Sequence, residues 1–176
     1  MISLSVLFWI YVIMFAMIGA MRGWAKEILV TSGVIVALFL VTIMETYIPF
    51  FRNNLNAESA FWVRMVVLIL MVFFGYQSPR FPRMIDSRKF VRDRFEDVLL
   101  GCFLGGVNGY MIFGTAWYYL MEAGYPFAWI SPPDVLTEAG QNAIGLIEIL
   151  PPQWMQAPLI YIAVALAFVF ILVVFI

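Results

Sequence analysis

The chain has 176 residues, of which 64% are hydrophobic, 18% aromatic and only 12% charged. This composition excludes a soluble globular domain and predicts one integral membrane domain. Histidine is absent, which removes the commonest metal ligand and the usual general base near neutral pH. The sequence also contains no phosphate-binding loop, serine-nucleophile motif or Cys-x-x-Cys pair. We therefore expect a non-enzymatic protein without a bound metal or other cofactor.

The hydrophobic pattern predicts an all-α, polytopic membrane protein with about five transmembrane helices and one amphipathic surface helix. The expected spans are residues 2–21, 28–48, 60–76, 98–120 and 157–176. The first span has no Lys or Arg before it, so we expect a retained helix and not a secretory signal. The last span has no polar residue after Tyr161, which suits contact with lipid or with another hydrophobic protein.

Cationic residues cluster in two connections that lie on the same side of the predicted bundle. Of the ten Lys and Arg residues, two are in the first connection and six are in the connection 77–97: Arg22 and Lys26, then Arg80, Arg83, Arg88, Lys89, Arg92 and Arg94. The positive-inside rule makes this side cytoplasmic, with the N-terminus outside and the C-terminus in the cytoplasm. These cations also suit anionic lipid headgroups. Interleaved acidic residues argue against nucleic-acid binding.

The fourth span carries a glycine face, which consists of Gly101, Gly105 and Gly109 at intervals of four residues. Such a face lets two helix backbones approach closely within lipid. Gly19 and Gly23 end the first span in a matching stripe, and Asn108 should find a partner across a helix contact. The face either packs the chain's own helices or serves as a docking surface for another subunit.

Two oppositely charged residues are predicted at similar depth in neighbouring spans. Glu45 lies near the end of the second span and Arg64 near the start of the third. They either form an intramembrane ion pair or extend separately to water.

An amphipathic helix is predicted over 131–150, within a long stretch that contains no Lys or Arg. Ser131 followed by two prolines and Asp134 is typical of a helix start, and Pro151 and Pro152 end the pattern. We expect this helix to lie on the extracytoplasmic surface. It would cap the chain's own bundle or bind another partner, and its acidity disfavours anionic lipid as the sole partner.

Two segments resemble the colicin V production protein family of bacterial inner-membrane proteins. In residues 18–33, the family's pattern of Gly, Arg-Gly, a basic residue and Glu is matched by Gly19, Arg22, Gly23, Lys26 and Glu27. In residues 97–109, its pattern Asp-Arg-x-Leu-Gly-x-x-x-Gly-x-x-Arg-Gly is matched by Asp97, Leu100, Gly101, Gly105 and Gly109. The stretch ending at Pro151 is a third, weaker match.

The chain departs from that family in two respects. Val98 and Asn108 stand where the family usually has arginine, and the predicted fifth span is an addition to the family's architecture. The resemblance implies a bacterial inner-membrane location and a role in colicin V export and envelope upkeep. The departures suggest a relative that is specialised for another partner.

Together these features predict a scaffold or accessory subunit that docks to a larger membrane assembly. Its partners would be membrane lipids and other membrane subunits, for example those of a respiratory or photosynthetic complex. The docking surfaces would be the glycine face and the last span. The alternative is a transporter or channel component that uses Glu45, Arg64 and Asn108 as polar steps.

Overall fold

The structure, a computed structural model, describes residues 3–53, 55–77 and 93–175 and is all-helical apart from its connections there. Its helices in chain order are α1 (Leu4–Arg22), α2 (Trp24–Tyr47), α3 (Pro49–Asn53), α4 (Ala57–Tyr76), α5 (Asp93–Glu122), α6 (Glu138–Glu148), α7 (Pro151–Trp154) and α8 (Leu159–Phe175). Among the described residues, α1, α2, α4 and α5 are long and apolar enough to cross a membrane. The predicted all-α, polytopic architecture is confirmed.

Helix α8 occupies the place of the predicted fifth span. It has 17 described residues, which is about 26 Å at 1.5 Å per residue, against about 30 Å of hydrocarbon. It packs mainly on α2: Ile160 is buried, and the ring of Tyr161 meets Phe39 edge to face. Within the part of the chain that the structure describes, four helices thus have the length of a span, and α8 is a shorter apolar helix where a fifth span was predicted.

Helices α2 and α5 form the centre of the bundle. Helix α2 contacts α4, α5 and α8, whereas α5 contacts α1, α2 and α4. Helices α1 and α5 are antiparallel, because Phe8 meets Trp117 while Gly19 meets Gly101. We call the end of the bundle that contains Arg22 the basic end, and the end that contains Glu122 the acidic end. Apolar residues fill the middle: Val34, Leu38, Val41, Leu68 and Met111.

Two of the central helices begin earlier than the hydrophobic pattern predicts. Helix α2 begins at Trp24 and not at residue 28, and α5 begins at Asp93 and not at residue 98. In both cases the first turns contain charged residues, which a hydropathy window excludes although they continue the same helix. The spans are therefore longer than their apolar segments.

Helix α6 begins later than predicted. It starts at Glu138, and the side chain of Thr137 caps it by accepting the backbone N–H of Gly140 at 3.1 Å. The expected start at Ser131 is wrong, because residues 131–137 form an irregular segment in which Asp134 accepts the N–H of Leu136. A nearer capping residue, directly before the amphipathic turns, prevails over the Ser-Pro-Pro pattern.

The amphipathic helix closes the acidic end of its own bundle. Ala143 and Ile147 of α6 and the following Leu150 are buried against Phe8 and Trp117. The hydroxyl of Tyr110 donates to the carbonyl of Ile149 and accepts the indole N–H of Trp154 at 3.0 Å, which anchors α7 as well. The bundle-capping interpretation of this segment is confirmed.

Part of the predicted basic connection lies outside the described residues: Arg80, Arg83, Arg88, Lys89 and Arg92. Arg94 belongs to the first turn of α5, and Lys26 belongs to the first turn of α2. The end of α4 and the start of α5 both lie beside Arg22 or Trp24 at the basic end. The two predicted basic connections thus start and finish at the same end of the bundle.

Candidate functional site

The glycine face of α5 is filled by α1 of the same chain. A Cβ atom added to Gly19 would lie 2.7 Å from the Cα atom of Gly105, and one added to Gly105 would lie 2.9 Å from Cα of Gly19. One added to Gly109 would lie 2.9 Å from Cα of Val12. Only glycine permits backbones this close. The interpretation as contact within the chain is confirmed, and the docking surface for another subunit is wrong for these glycines because α1 already occupies them.

Gly23 and Asp97 join the ends of α1, α2 and α5. Gly23 separates α1 from α2 with φ +84°, a backbone conformation that favours glycine. Asp97 reaches across from α5, and its Oδ1 accepts the backbone N–H of Trp24 at 3.1 Å. The carboxylate lies 2.8 Å from where a Gly23 side chain would begin. A residue of α5 thus caps α2 and places negative charge at its N-terminus, where the helix dipole favours it.

A buried polar cluster, which consists of Arg22, Glu27, Thr31, Tyr76 and Asn108, lies next to this cap. Glu27 and Asn108 are both 0% exposed. The Asn108 amide donates to Glu27 Oε2 at 2.8 Å and to the Glu27 carbonyl at 2.9 Å. The hydroxyl of Thr31 lies 2.7 Å from Asn108 Oδ1, to which it donates. The expectation that Asn108 bonds across a helix contact is confirmed, with α2 as the partner.

Arg22 completes the polar cluster from α1. Its Nη1 lies 3.2 Å from Glu27 Oε1, its Nη2 donates to the carbonyl of Tyr76, and its guanidinium carbon lies 4.1 Å from the centre of the Tyr76 ring. The sequence predicts that Arg22 serves orientation or lipid headgroups, but the structure turns its guanidinium toward the protein. The cluster therefore connects α1, α2, α4 and α5 at the basic end.

An ionic triad, which consists of Glu45, Arg64 and Glu122, lies at the acidic end. Arg64 Nε donates to Glu45 Oε1 at 2.6 Å, and Arg64 Nη1 donates to Glu122 Oε2 at 2.5 Å. The guanidinium carbon also lies 5.3 Å from the centre of the Tyr119 ring. The predicted ion pair is confirmed and separate extension to water is wrong. The third member, Glu122, was not predicted.

The triad borders open space on two sides. A cavity of about 290 Å³ lies between α2, α4, α5 and the α7 region, and its lining includes all three members of the triad. We call it the triad cavity. A second cavity of about 220 Å³ lies on the side of Phe51 and Leu55, and it shares Glu45 and Arg64.

The two polar groups lie at opposite ends of the bundle. Asn108 belongs to the basic end, and Glu45 and Arg64 belong to the acidic end, with the apolar middle of the bundle between them. Among the described residues, no group of three or more His, Cys, Asp or Glu side chains is placed to hold a metal ion. Polar contacts thus join helices at both ends of the bundle, and those at the acidic end also border a cavity.

Comparison with known proteins finds no family model, no curated protein and no solved structure that matches this chain. The resemblance to colicin V production proteins therefore stays a prediction. The structure adds one fact about the two segments that carry it: they are in direct contact. Asp97 caps α2 at Trp24, and Gly101 and Gly105 lie against Gly19.

Proposed function

We propose that this chain is a non-enzymatic accessory subunit, or scaffold, that binds a larger assembly of membrane proteins through α8. The observation that carries the proposal is the outward side of α8, an apolar surface on a helix that packs mainly on α2. Exposed large side chains cover it: Ile162, Leu166, Phe168, Val169 and Leu172.

The rest of the bundle supports this proposal by its rigidity. Backbone contact at the glycines joins α1 to α5, and the polar cluster joins both to α2 and α4. Helices in lipid associate through close van der Waals contact and interhelical hydrogen bonds. The glycines and buried polar groups make contacts within the bundle. The bundle therefore holds α8 in a fixed position, with its outward side available to a partner.

Site-specific photo-crosslinking in native membranes tests the proposal. A photoreactive phenylalanine analogue replaces Phe168 on α8 and, as a matched control, Ile13 on the exposed side of α1. We expect a discrete protein adduct at position 168 and only lipid adducts at position 13. Lipid adducts alone at both positions would contradict docking through α8, and mass spectrometry of the adduct at 168 would identify the subunit.

We further propose that the protein resides in a bacterial inner membrane, as its resemblance to colicin V production proteins implies. The same resemblance extends the proposal to colicin V export and envelope upkeep. Direct contact between the two segments that carry the resemblance supports it, because motifs that form one site are expected to be inherited together. Secretion of colicin V by a strain whose own family member is deleted, with and without this chain, tests that role.

A further inference from the structure

We propose that the triad cavity binds a primary ammonium group attached to an apolar chain. This inference is independent of docking through α8, because it concerns the acidic ends of α2, α4 and α5. The ligand is either the headgroup of an aminophospholipid or a free alkylamine, since the two present the same ammonium group.

The charge of the triad favours a monovalent cation. Two carboxylates and one guanidinium leave a net charge of −1 beside the cavity. The Arg64 side chain is only 20% exposed, whereas those of Glu45 and Glu122 are 42% and 36% exposed. The cavity therefore receives its charge mainly from the carboxylates. An anion would be repelled by them, and a divalent metal would lie beside the guanidinium with too few oxygen ligands.

Tyr119 supplies a separate observation that indicates a ligand. Its side chain lines the cavity and the residue is only 4% exposed, but its hydroxyl forms no hydrogen bond with the residues that the structure describes. A hydroxyl without a protein partner beside a cavity is available to form a hydrogen bond with a bound ligand. Glu45 accepts one guanidinium N–H, and Glu122 accepts one guanidinium N–H and interacts with the hydroxyl of Tyr118. Both retain capacity, because a carboxylate has about four lone-pair sites.

A primary ammonium matches this set of acceptors. It carries three N–H donors, which is one for each carboxylate and one for the Tyr119 hydroxyl oxygen. A quaternary ammonium has no N–H and would leave the hydroxyl unpaired. The shared chemistry is thus a primary amine in its charged form.

The remainder of the lining is mixed, with polar side chains from Thr42, Tyr118 and Gln156. Its apolar part accounts for the attached chain. Val41 and Leu38 line the cavity one turn and two turns along α2 from Glu45, toward the middle of the bundle, and Met155, directly after α7, lines it as well. A volume of about 290 Å³ is near the lower limit of small-ligand sites. It accommodates a short alkyl chain below the ammonium group.

Titration calorimetry with hexylammonium tests the site in the full-length protein, reconstituted in phosphatidylcholine nanodiscs. We expect saturable binding, with a dissociation constant raised about tenfold by Glu45→Gln and several-fold by Tyr119→Phe, since each removes one hydrogen bond to a charged ligand. Glu58→Gln is the matched control, because Glu58 is an exposed acid in the first turn of α4 that does not line the cavity. This control should change affinity less than twofold.

Three results would overturn the proposal: no saturable binding, equal binding of 1-hexanol or hexyltrimethylammonium, or an equal loss of affinity in Glu58→Gln. Tyr119→Phe keeps the aromatic ring, so it remains informative if Glu45→Gln fails to fold. Nanodiscs that contain phosphatidylethanolamine distinguish an aminophospholipid headgroup from a free alkylamine as the ligand. A weaker apparent affinity for hexylammonium there identifies the lipid headgroup as the occupant, and an unchanged affinity identifies a free amine.

Discussion

At the scale of single residues, the bundle has to stabilise a carboxylate that water cannot reach. Glu27 is 0% exposed, and an isolated ionised carboxylate in such surroundings would be very costly. Arg22 supplies an opposite charge at 3.2 Å, and Asn108 supplies an N–H donor at 2.8 Å. Removing one member of a buried pair costs more than the pair contributes, because the other charge is left uncompensated. Glu27 therefore depends on both partners.

Asn108→Ala is expected to lower the free energy of unfolding by about 1–2 kcal/mol, because Glu27 loses an amide donor that nothing replaces. Unfolding in mixed micelles, followed by tryptophan fluorescence, measures the loss. Thr42→Ala is the matched control, because the Thr42 hydroxyl bonds only the carbonyl of Leu38 within its own helix. Equal losses in the two variants would show that the hydrogen bond between α2 and α5 is not what matters.

At the scale of helices, a second close backbone contact joins α2 to α4. Besides the contact of α1 with α5, a Cβ atom added to Gly33 would lie 2.7 Å from the carbonyl oxygen of Met71, and one added to Gly75 would lie 2.9 Å from Cα of Val30. Helix α2 thus meets α4 through one glycine from each helix. The sequence predicts the first contact from its four-residue repeat. Single glycines on separate helices make no repeat, so the second contact gives no comparable signal.

Gly105→Ala and Gly106→Ala are adjacent substitutions with opposite expected outcomes. The methyl group at 105 would collide with the backbone of α1, whereas the methyl at 106 would lie 3.6 Å from the Cβ atom of Ala16, an ordinary contact. We expect Gly105→Ala to destabilise the protein by about 1–3 kcal/mol. Gly106→Ala should be neutral or slightly stabilising, because alanine favours helix. Chemical unfolding in bicelles measures both, and equal effects would contradict the contact of α1 with α5.

Asp97→Ala removes the cap that α5 provides to α2 and should cost about 0.5–2 kcal/mol of unfolding free energy. Asp97→Asn keeps an acceptor oxygen for the N–H of Trp24, so it should recover most of this loss. Glu96→Ala serves as the control, since Glu96 is an exposed neighbour on the same helix. Thermal unfolding in nanodiscs compares the three. A loss as large in Glu96→Ala would indicate a general charge effect and no specific cap.

At the scale of the whole molecule, charges separate the two ends of the bundle. The polar cluster with Arg22 lies at one end and the ionic triad lies at the other, so the helices are joined by polar contacts at both ends and by apolar contacts between. Cations set orientation in membranes. Arg22 and Lys26 lie at the basic end, and the described residues on either side of the third connection also lie there. The basic end should therefore face the cytoplasm.

Fusion of reporters to the C-terminus tests this orientation. A green fluorescent protein should fluoresce there, and an alkaline phosphatase should be inactive, because the first matures in the bacterial cytoplasm and the second requires the periplasm. The opposite pattern would reverse the assignment. Fusions in the connection between α2 and α4, near residue 54, provide the control and should behave in the opposite way.

Much of the bundle can be predicted from the sequence because lipid imposes simple rules on length, depth and small residues. Depth alone brings Glu45 and Arg64 together, and periodicity alone identifies the glycine face. Side-chain contacts that depend on how each helix is rotated about its axis are harder to predict from sequence. The hydrogen bond of Asn108 to Glu27 could be predicted only with knowledge of how α2 and α5 are rotated relative to each other. Glu122 was missed for a simpler reason, since its depth also matches that of Arg64 but it follows much later in the chain.

The contact of Gly19 with Gly101 and Gly105 has a consequence for biogenesis, because the ribosome makes α1 well before α5. When α1 leaves the translocon, the helix that packs against its small residues has not yet been synthesised. Likewise, the backbone N–H of Trp24 has no capping carboxylate until Asp97 has been synthesised. A nascent chain arrested ahead of α5 would thus hold its early helices in a provisional arrangement, and insertion factors that shelter such surfaces would act within that interval.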